Sequence, residues 1–238
     1  MGSRQAMKFT HNEIGPVEIT FRKNTSKISA RWKNGVAVFI FPESIDRKEI
    51  PDYVNRMASA VIARKREVAF AESQVIEVPG FTFLISRQSH QPRNVWGTVK
   101  DRKAYIEVGT LLDFDNLNVK QTISRIMSNI ARDVAAEILI PEAKAIAAEL
   151  GVSPRSWAIM NGFKTLGKCS ARGDIHISYM CLFLTSELRG YIVRHELAHL
   201  SEMSHSPRFH AICDRYCGGK EKELVRKLNR FPWQILRR

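Results

Sequence analysis

The first half of the chain carries the period-two alternation of apolar and polar residues that is typical of β-strands. Two segments alternate, and their apolar positions are Val17, Ile19 and Phe21, then Ile28, Ala30 and Trp32. Residues 36–41 form an unbroken apolar run, which predicts a strand buried on both faces. The Asn34-Gly35 pair before this run is a strong hairpin signal, and Pro42 ends the predicted strand. Residues 16–41 are therefore predicted to be a β-meander.

A helix and a second group of strands are predicted to follow. The helix should run from Asp46 or Pro51 to Phe70, because its apolar residues recur at helical spacing. Its outer face is basic, which most simply indicates a solvated surface. The basic residues of that face are Arg56, Arg64, Lys65 and Arg66. Strands return over residues 74–108, with turns at Pro79-Gly80 and at residues 101–103.

The second half of the chain begins with helical spacing. Residues 116–150 predict a long helix that Pro141 should break or kink, and Gly151 should terminate it. Short strands are predicted at residues 156–161 and 174–180, joined by a loop at residues 162–173. No internal repeat is apparent.

These elements predict an α+β protein. A tag-like, disordered N-terminus at residues 1–15 should precede a β-rich region with a helix at residues 16–115. A second region should cover residues 116–238.

The candidate chemistry lies in residues 191–205. His195 and His199 are one helical turn apart, so their imidazoles point the same way and can bind one zinc ion. Glu196 can take a proton from the metal's water, which completes the H-E-x-x-H pattern of a zinc hydrolase. The surrounding apolar residues favour a half-buried helix over a solvated one with incidental histidines. A buried glutamate would then need a metal to offset its charge.

A catalytic zinc ion needs a third protein ligand and keeps its fourth position open for water. His205 follows at a spacing that lets the helix end and the chain turn back to the metal. Glu202, His210 and Asp214 are the alternatives for this third ligand. Thr185 is predicted to cap the metal-binding helix, and Ser206-Pro207 to begin the next one.

Composition adds charge and redox state to this picture. The net charge of +13 suggests an acidic partner such as nucleic acid or a nucleotide. The basic residues are nevertheless spread over the chain, and a solvated surface explains them equally well. The four cysteines contain no C-x-x-C pair and are predicted to be free thiols in a reducing compartment. Cys213 and Cys217 are expected to be core residues of a helix rather than a second metal site.

No membrane partner is predicted. The chain has no apolar run of the roughly 20 residues that a membrane span needs. The polar first residues resemble a tag ahead of a start at Met7 rather than a signal peptide, so a cytoplasmic protein is expected.

Several blocks of the chain resemble the YgjP-like zinc metallopeptidases, which are related to the SprT-like proteases. They are LGKCSARGDIHIS at residues 166–178, HELAH at residues 195–199, residues 204–206 and Phe209. The resemblance covers roughly residues 16–236. It implies a zincin-like minimal metallopeptidase core, in which a small sheet packs against the metal-binding helix. It also implies one zinc ion per chain, with His195, His199 and His205 as ligands and Glu196 as the general base.

The chain departs from the family pattern at three positions. Leu166 stands where the family usually has Trp, Lys168 where it has Ser, and His210 where a Trp follows the phenylalanine. These changes should affect packing and substrate preference rather than metal binding.

The predicted function is a zinc metallopeptidase that acts on a peptide or protein substrate through a zinc-bound water activated by Glu196. Tyr216 and Arg208 are candidates for stabilising the transition state. If the strand at residues 174–180 is a sheet edge, it could take an extended peptide by strand addition.

Two other functions fit parts of the sequence. A metal-dependent nucleoside triphosphate phosphohydrolase would use the basic residues Lys164, Lys168 and Arg172, although such enzymes usually hold magnesium by carboxylates. A non-catalytic module that binds nucleic acid or protein would need a closed, four-ligand zinc site.

Overall fold

The computed structural model describes residues 7–33, 36–63 and 68–236. These residues contain three small sheets and five α-helices, which confirms the predicted α+β class. They form two compact units, of which the second begins at Val68. No described helix is both long enough and apolar enough to cross a membrane.

The first unit is a four-stranded sheet followed by a helix. The strands are β1 (Met7–His11), β2 (Gly15–Arg22), β3 (Ser29–Lys33) and β4 (Val36–Pro42), and the helix is α1 (Ile50–Ala63). The sheet has the order β1-β2-β4-β3, and β2 runs parallel to β4. The predicted meander is therefore wrong, because β4 lies between β2 and β3. Pairing with β2 also makes residues 7–11 a strand instead of part of a disordered N-terminus.

Burial in this unit follows the hydrophobic pattern. The middle of β4, residues 37–41, is buried on both faces as predicted. The described part of the helix reaches Ala63, and the predicted end at Phe70 is wrong because residues 68–70 are not helical. Residues 1–6, the predicted turn at Asn34-Gly35 and the basic residues 64–66 lie outside the described residues.

The second unit begins with a sheet of the same design. Its strands are β5 (Gln74–Val78), β6 (Phe81–Gln88), β7 (Val95–Lys100) and β8 (Lys103–Gly109). The order is β5-β6-β8-β7, with β6 parallel to β8 and antiparallel hairpins at both predicted turns. Each of the two sheets thus has antiparallel, parallel and antiparallel pairs in succession, and each is followed by a helix.

Helix α2 (Leu117–Glu149) is one continuous element of 33 residues with Pro141 inside it. The predicted break at Pro141 is absent. Just after the proline, Glu142 accepts a hydrogen bond of 2.9 Å from the buried guanidinium of Arg189, which lies in the helix Ser186–Ala198. Gly151, at φ +68°, follows the last helical turn, as predicted. The N–H of Val152 closes that turn by donating to the carbonyl of Ala147 at 3.0 Å.

One hydrophobic core joins the second sheet, α2 and the predicted metal-binding helix. The compact units consequently divide between residues 67 and 68, not between residues 115 and 116.

A third sheet and three short helices complete this unit. The strands are β9 (Ser156–Met160), β10 (Gly167–Cys169) and β11 (Asp174–Ser178), in the order β10-β11-β9. The helices are α3 (Ser186–Ala198), α4 (Pro207–Tyr216) and α5 (Glu221–Arg230). The condition that residues 174–180 form a sheet edge is not met, because β11 is the central strand. The outer strands are β9 and β10, of which β10 lies within the segment predicted to be a loop, and residues 179–180 belong to a 3-10 turn.

Candidate metal centre

Helix α3 positions the first two histidines. It begins as predicted at Thr185, whose hydroxyl accepts a hydrogen bond from the N–H of Leu188 at 3.4 Å. Its apolar residues are buried, and Leu197 is 0% exposed. The helix ends at Ala198, so His195 lies in its last turn and His199 at its C-cap. The H-E-x-x-H segment is therefore on a packed helix, as the hydrophobic pattern indicates.

The third histidine comes from the loop between α3 and α4. His205 Nε2 lies 3.1 Å from His195 Nε2. One ligand atom from each of His195, His199 and His205 lies within 4.8 Å of the others. Zinc–nitrogen bonds of about 2.0–2.1 Å in a tetrahedral site separate neighbouring nitrogens by roughly 3.3 Å. The separation of His195 and His205 is close to that value, and the three imidazoles could hold one metal ion.

The other ring nitrogens of the two helical histidines face hydrogen-bond partners. His199 Nδ1 lies 3.1 Å from the carbonyl oxygen of Glu202. Because a carbonyl oxygen only accepts hydrogen bonds, His199 Nδ1 carries the proton. Nε2 then has a free lone pair that can bind a metal ion. His195 Nδ1 faces the hydroxyl of Tyr191 at 3.5 Å.

Burial also keeps these imidazoles neutral. It lowers the pKa of His195 to about 4, with a further contribution from the neighbouring histidines. It lowers the pKa of His199 as well. Neutral imidazole is the form that binds zinc.

Phe209 packs against all three imidazoles. It lies in the first turn of α4, where Ser206 caps the helix by accepting from the N–H of Phe209 at 3.3 Å and Pro207 is the first helical residue. The Phe209 ring centroid lies 4.3 Å from that of His199, 4.8 Å from His205 and 4.9 Å from His195. The side chain is 0% exposed, so Phe209 forms a common apolar wall behind the three rings.

The alternative third ligands are all engaged elsewhere. The Glu202 carboxylate accepts hydrogen bonds from the backbone and the hydroxyl of Ser204. His210 Nδ1 lies 2.8 Å from the buried carboxylate of Glu221. Asp214 accepts a bond of 3.0 Å from the backbone of Glu221. The structure brings His205 to the other two histidines and leaves these three side chains out of the cluster.

Glu196 is a buried carboxyl beside the cluster. It is 5% exposed, and this burial raises its pKa to about 7. Its carboxyl group lies against β10 at Gly167. A Cβ atom on Gly167 would lie 2.6 Å from Glu196 Cγ and 2.7 Å from Cδ, and closer still to Oε1. The glycine therefore leaves the space that the glutamate occupies.

Replacing Gly167 by Ala should displace the Glu196 carboxyl group. For any reaction that uses this carboxyl group, we expect kcat/KM to fall about 10–100-fold, because small misplacements of a reacting group are costly. Metal content should not change. Arg172→Ala, at an exposed position in the turn after β10 that does not line the cleft, serves as the control. Wild-type activity in Gly167→Ala would show that the carboxyl position does not depend on this contact.

A cleft of about 480 Å³ opens over the histidines. The edge strand β10 lines one part of it, and Ile192, Met203 and Leu228 give it apolar surface. Tyr191 also lines it, and the sequence analysis missed this residue. The available signal was its position one helical turn before His195, on the same helix face.

Other predicted residues lie in different places. Tyr216 and Arg208 do not line the cleft. Tyr216 instead packs under the guanidinium of Arg215, at 5.7 Å from the ring centroid. Of the basic loop residues, Lys164 and Lys168 line the cleft and Arg172 does not.

The cysteines form no second metal site. All four are free, and Cys213 is fully buried, as expected for a core residue. Within the part of the chain that the structure describes, the three histidines are the one group of His, Cys, Asp or Glu residues with metal-binding spacing.

Comparisons with known proteins place the chain in a family. The family described as YgjP-like, metallopeptidase domain, matches residues 26–231. A solved structure, the crystal structure of the metallopeptidase zymogen of Pyrococcus abyssi abylysin, is 23% identical. The similarity covers 42% of this chain and 100% of that one, with a TM-score of 0.35. A search of curated proteins found no match.

Proposed function

Because this chain belongs to the YgjP-like metallopeptidase family, we propose that it is a zinc-dependent peptidase in which Glu196 is the general base. Family membership gives a metal-dependent enzyme with a peptide or protein substrate. The identity of the ion, its ligands and the role of Glu196 are our assignments. The observation that carries them is one cleft that contains three clustered imidazoles and a buried carboxyl group.

His195, His199 and His205 would hold the ion. Three neutral imidazoles are a typical donor set for catalytic zinc, whereas magnesium prefers oxygen ligands. Zinc, when bound, is a Lewis acid that polarises a carbonyl and lowers the pKa of water. The donor set supports a hydrolase of amide bonds over a phosphohydrolase. The presence of three donors and not four supports an open, catalytic site over a structural one.

Glu196 would move the proton. Its carboxylate accepts a proton from the attacking water and delivers it to the nitrogen of the leaving amine. A pKa of about 7, which its burial produces, suits a group that must both accept and release a proton near neutral pH. The contact with Gly167 limits where the carboxyl group can lie.

The substrate would bind along β10. This strand pairs with β11 on one side, and no described strand pairs with its other edge, which lies next to the cleft. An extended peptide could add to that edge through backbone hydrogen bonds, which would hold a peptide bond beside the histidines. The edge strand β10 thus takes the role that the sequence analysis assigned to residues 174–180.

The first test is the zinc content of the purified protein and of His205→Ala. We expect about one zinc per chain in the wild type, and loss of that zinc from the variant on dialysis, because two imidazoles alone hold it weakly. No zinc in the wild type after reconstitution would contradict the proposal. Zinc that survives the substitution would move the third ligand to Glu202, His210 or Asp214. Nucleoside triphosphates assayed beside a peptide library separate the two reaction classes.

A further inference from the structure

We infer that Lys168, assisted by Lys164, selects substrates that carry an acidic side chain opposite Lys168 on the free edge of β10. The inference rests on the proposed function, since it requires a peptide bound along that edge. It names the substrate class that this cleft prefers: peptides with Asp or Glu at one defined position.

Two lysines without an acidic partner among the described residues border the cleft. Both are exposed and both line the cleft. Neither forms an ion pair or a side-chain hydrogen bond with any described residue. Two acidic side chains, Asp174 on the neighbouring strand and Glu202 in the loop after α3, have hydrogen-bond partners of their own. Asp174 accepts hydrogen bonds from Ser156 and Ser170, and the Glu202 carboxylate is bound by Ser204.

The alternation of β10 determines which way Lys168 faces. Gly167 faces Glu196, since an added Cβ would meet that side chain, and Cys169 is buried. Side chains alternate along a strand, so Lys168 lies on the opposite face, together with His176, its partner on β11. A charged group on that face does not compete with Glu196 for space.

A peptide strand on the edge of β10 inherits this alternation. The residue directly opposite Lys168 would have its Cβ about 4.5–5.5 Å away on the same face of the sheet. Opposite charges in such cross-strand pairs are favourable and like charges are unfavourable. The next residues of the peptide point to the other face, toward Glu196. The selection should therefore act at one peptide position and not along the whole substrate.

Lys164 adds a second charge from the loop before β10, and Arg172 provides a matched control. Arg172 lies in the turn between β10 and β11, is exposed and does not line the cleft. A Lys→Glu change at 168 and an Arg→Glu change at 172 alter the net charge equally. Only the first should alter the charge in the cleft.

The test uses zinc-loaded protein and paired peptides that differ by Glu, Gln or Lys at each position in turn. Wild type should prefer Glu over Gln about 3–10-fold in kcat/KM at one position, the range that one or two exposed ion pairs provide. The preference should shrink at high salt. Lys168→Glu should reverse it toward Lys, Lys164→Glu should weaken it, and Arg172→Glu should leave it unchanged.

Binding of the same peptides to zinc-loaded Glu196→Gln, measured by fluorescence anisotropy, separates this inference from the proposed reaction. Selective binding of the Glu peptide without cleavage by wild type would support the inference and contradict the peptidase. Cleavage or binding without a charge preference, or a preference that Lys168→Glu does not change, would overturn the inference. Failure of every peptide to bind or to be cleaved would overturn both.

Discussion

Replacing Glu196 by Gln is expected to lower kcat by about 10²–10⁴-fold while the protein keeps its zinc, the range that a positioned general base contributes. The amide has the shape of the carboxyl group and fits the same space against Gly167, but it cannot accept a proton. The side chain is 5% exposed, and its carboxylate is disfavoured by burial, so the neutral amide should not destabilise the fold. Turnover, zinc content and Tm of the variant measure these three effects.

Glu187→Gln is the matched control for this substitution. Glu187 lies in the first turn of the same helix, and its ion pair with Lys227 at 2.9 Å is exposed. Exposed pairs contribute little to stability, so this variant should behave as wild type. If Glu196→Gln retained wild-type turnover with zinc bound, Glu196 would not be the general base. If it lost zinc, its effect on rate would carry no information about proton transfer.

Phe209→Ala should destabilise the protein and the metal centre together. Removing a fully buried phenylalanine costs about 3–5 kcal/mol of unfolding free energy. Here the lost ring also contacts three imidazoles at centroid distances of 4.3, 4.8 and 4.9 Å. The histidines would lose the surface that orients them, and supporting residues of this kind typically affect metal affinity 10–100-fold. Denaturant titration and zinc-competition titration measure the two losses.

Phe83→Ala separates the two effects of that substitution. Phe83 is also 0% exposed and packs in the same core, where it stacks on Phe183 at 5.8 Å. Phe83→Ala should lower the free energy of unfolding by a similar amount and leave the affinity for zinc unchanged below the unfolding temperature. Equal zinc affinities in the two variants would show that Phe209 stabilises the core without supporting the histidines.

The parts of the site that could be predicted from sequence are those set by local periodicity. The turn that separates His195 from His199 follows from helix geometry, and the Thr185 and Ser206 caps follow from local hydrogen bonding. His205 had alternatives because the path of a loop depends on tertiary contacts. The packing of Phe209 against the three rings could not be predicted from the sequence, in which Phe209 was notable only as a residue of the family pattern.

The errors concern strand order and tertiary support. A run of alternating strands does not reveal that β4 inserts between β2 and β3, because both arrangements bury the same residues. The three-residue β10 is too short to have a period, and it contains a glycine and a lysine. Pro141 indicates a break in an isolated helix, but contacts along α2 override that tendency. The repeated sheet design is visible only from pairing, since different apolar residues fill equivalent places.

Because α2 is uninterrupted, its number of residues determines both the position and the rotation of its end. Helix α2 has 33 residues, or roughly 50 Å of helix. That length carries Glu142 to Arg189 on α3. Each inserted or deleted residue would shift the end of α2 by about 1.5 Å and rotate it by about 100°. The number of residues in α2 therefore sets both how far its end reaches and at which angle it meets α3, which carries two of the clustered histidines.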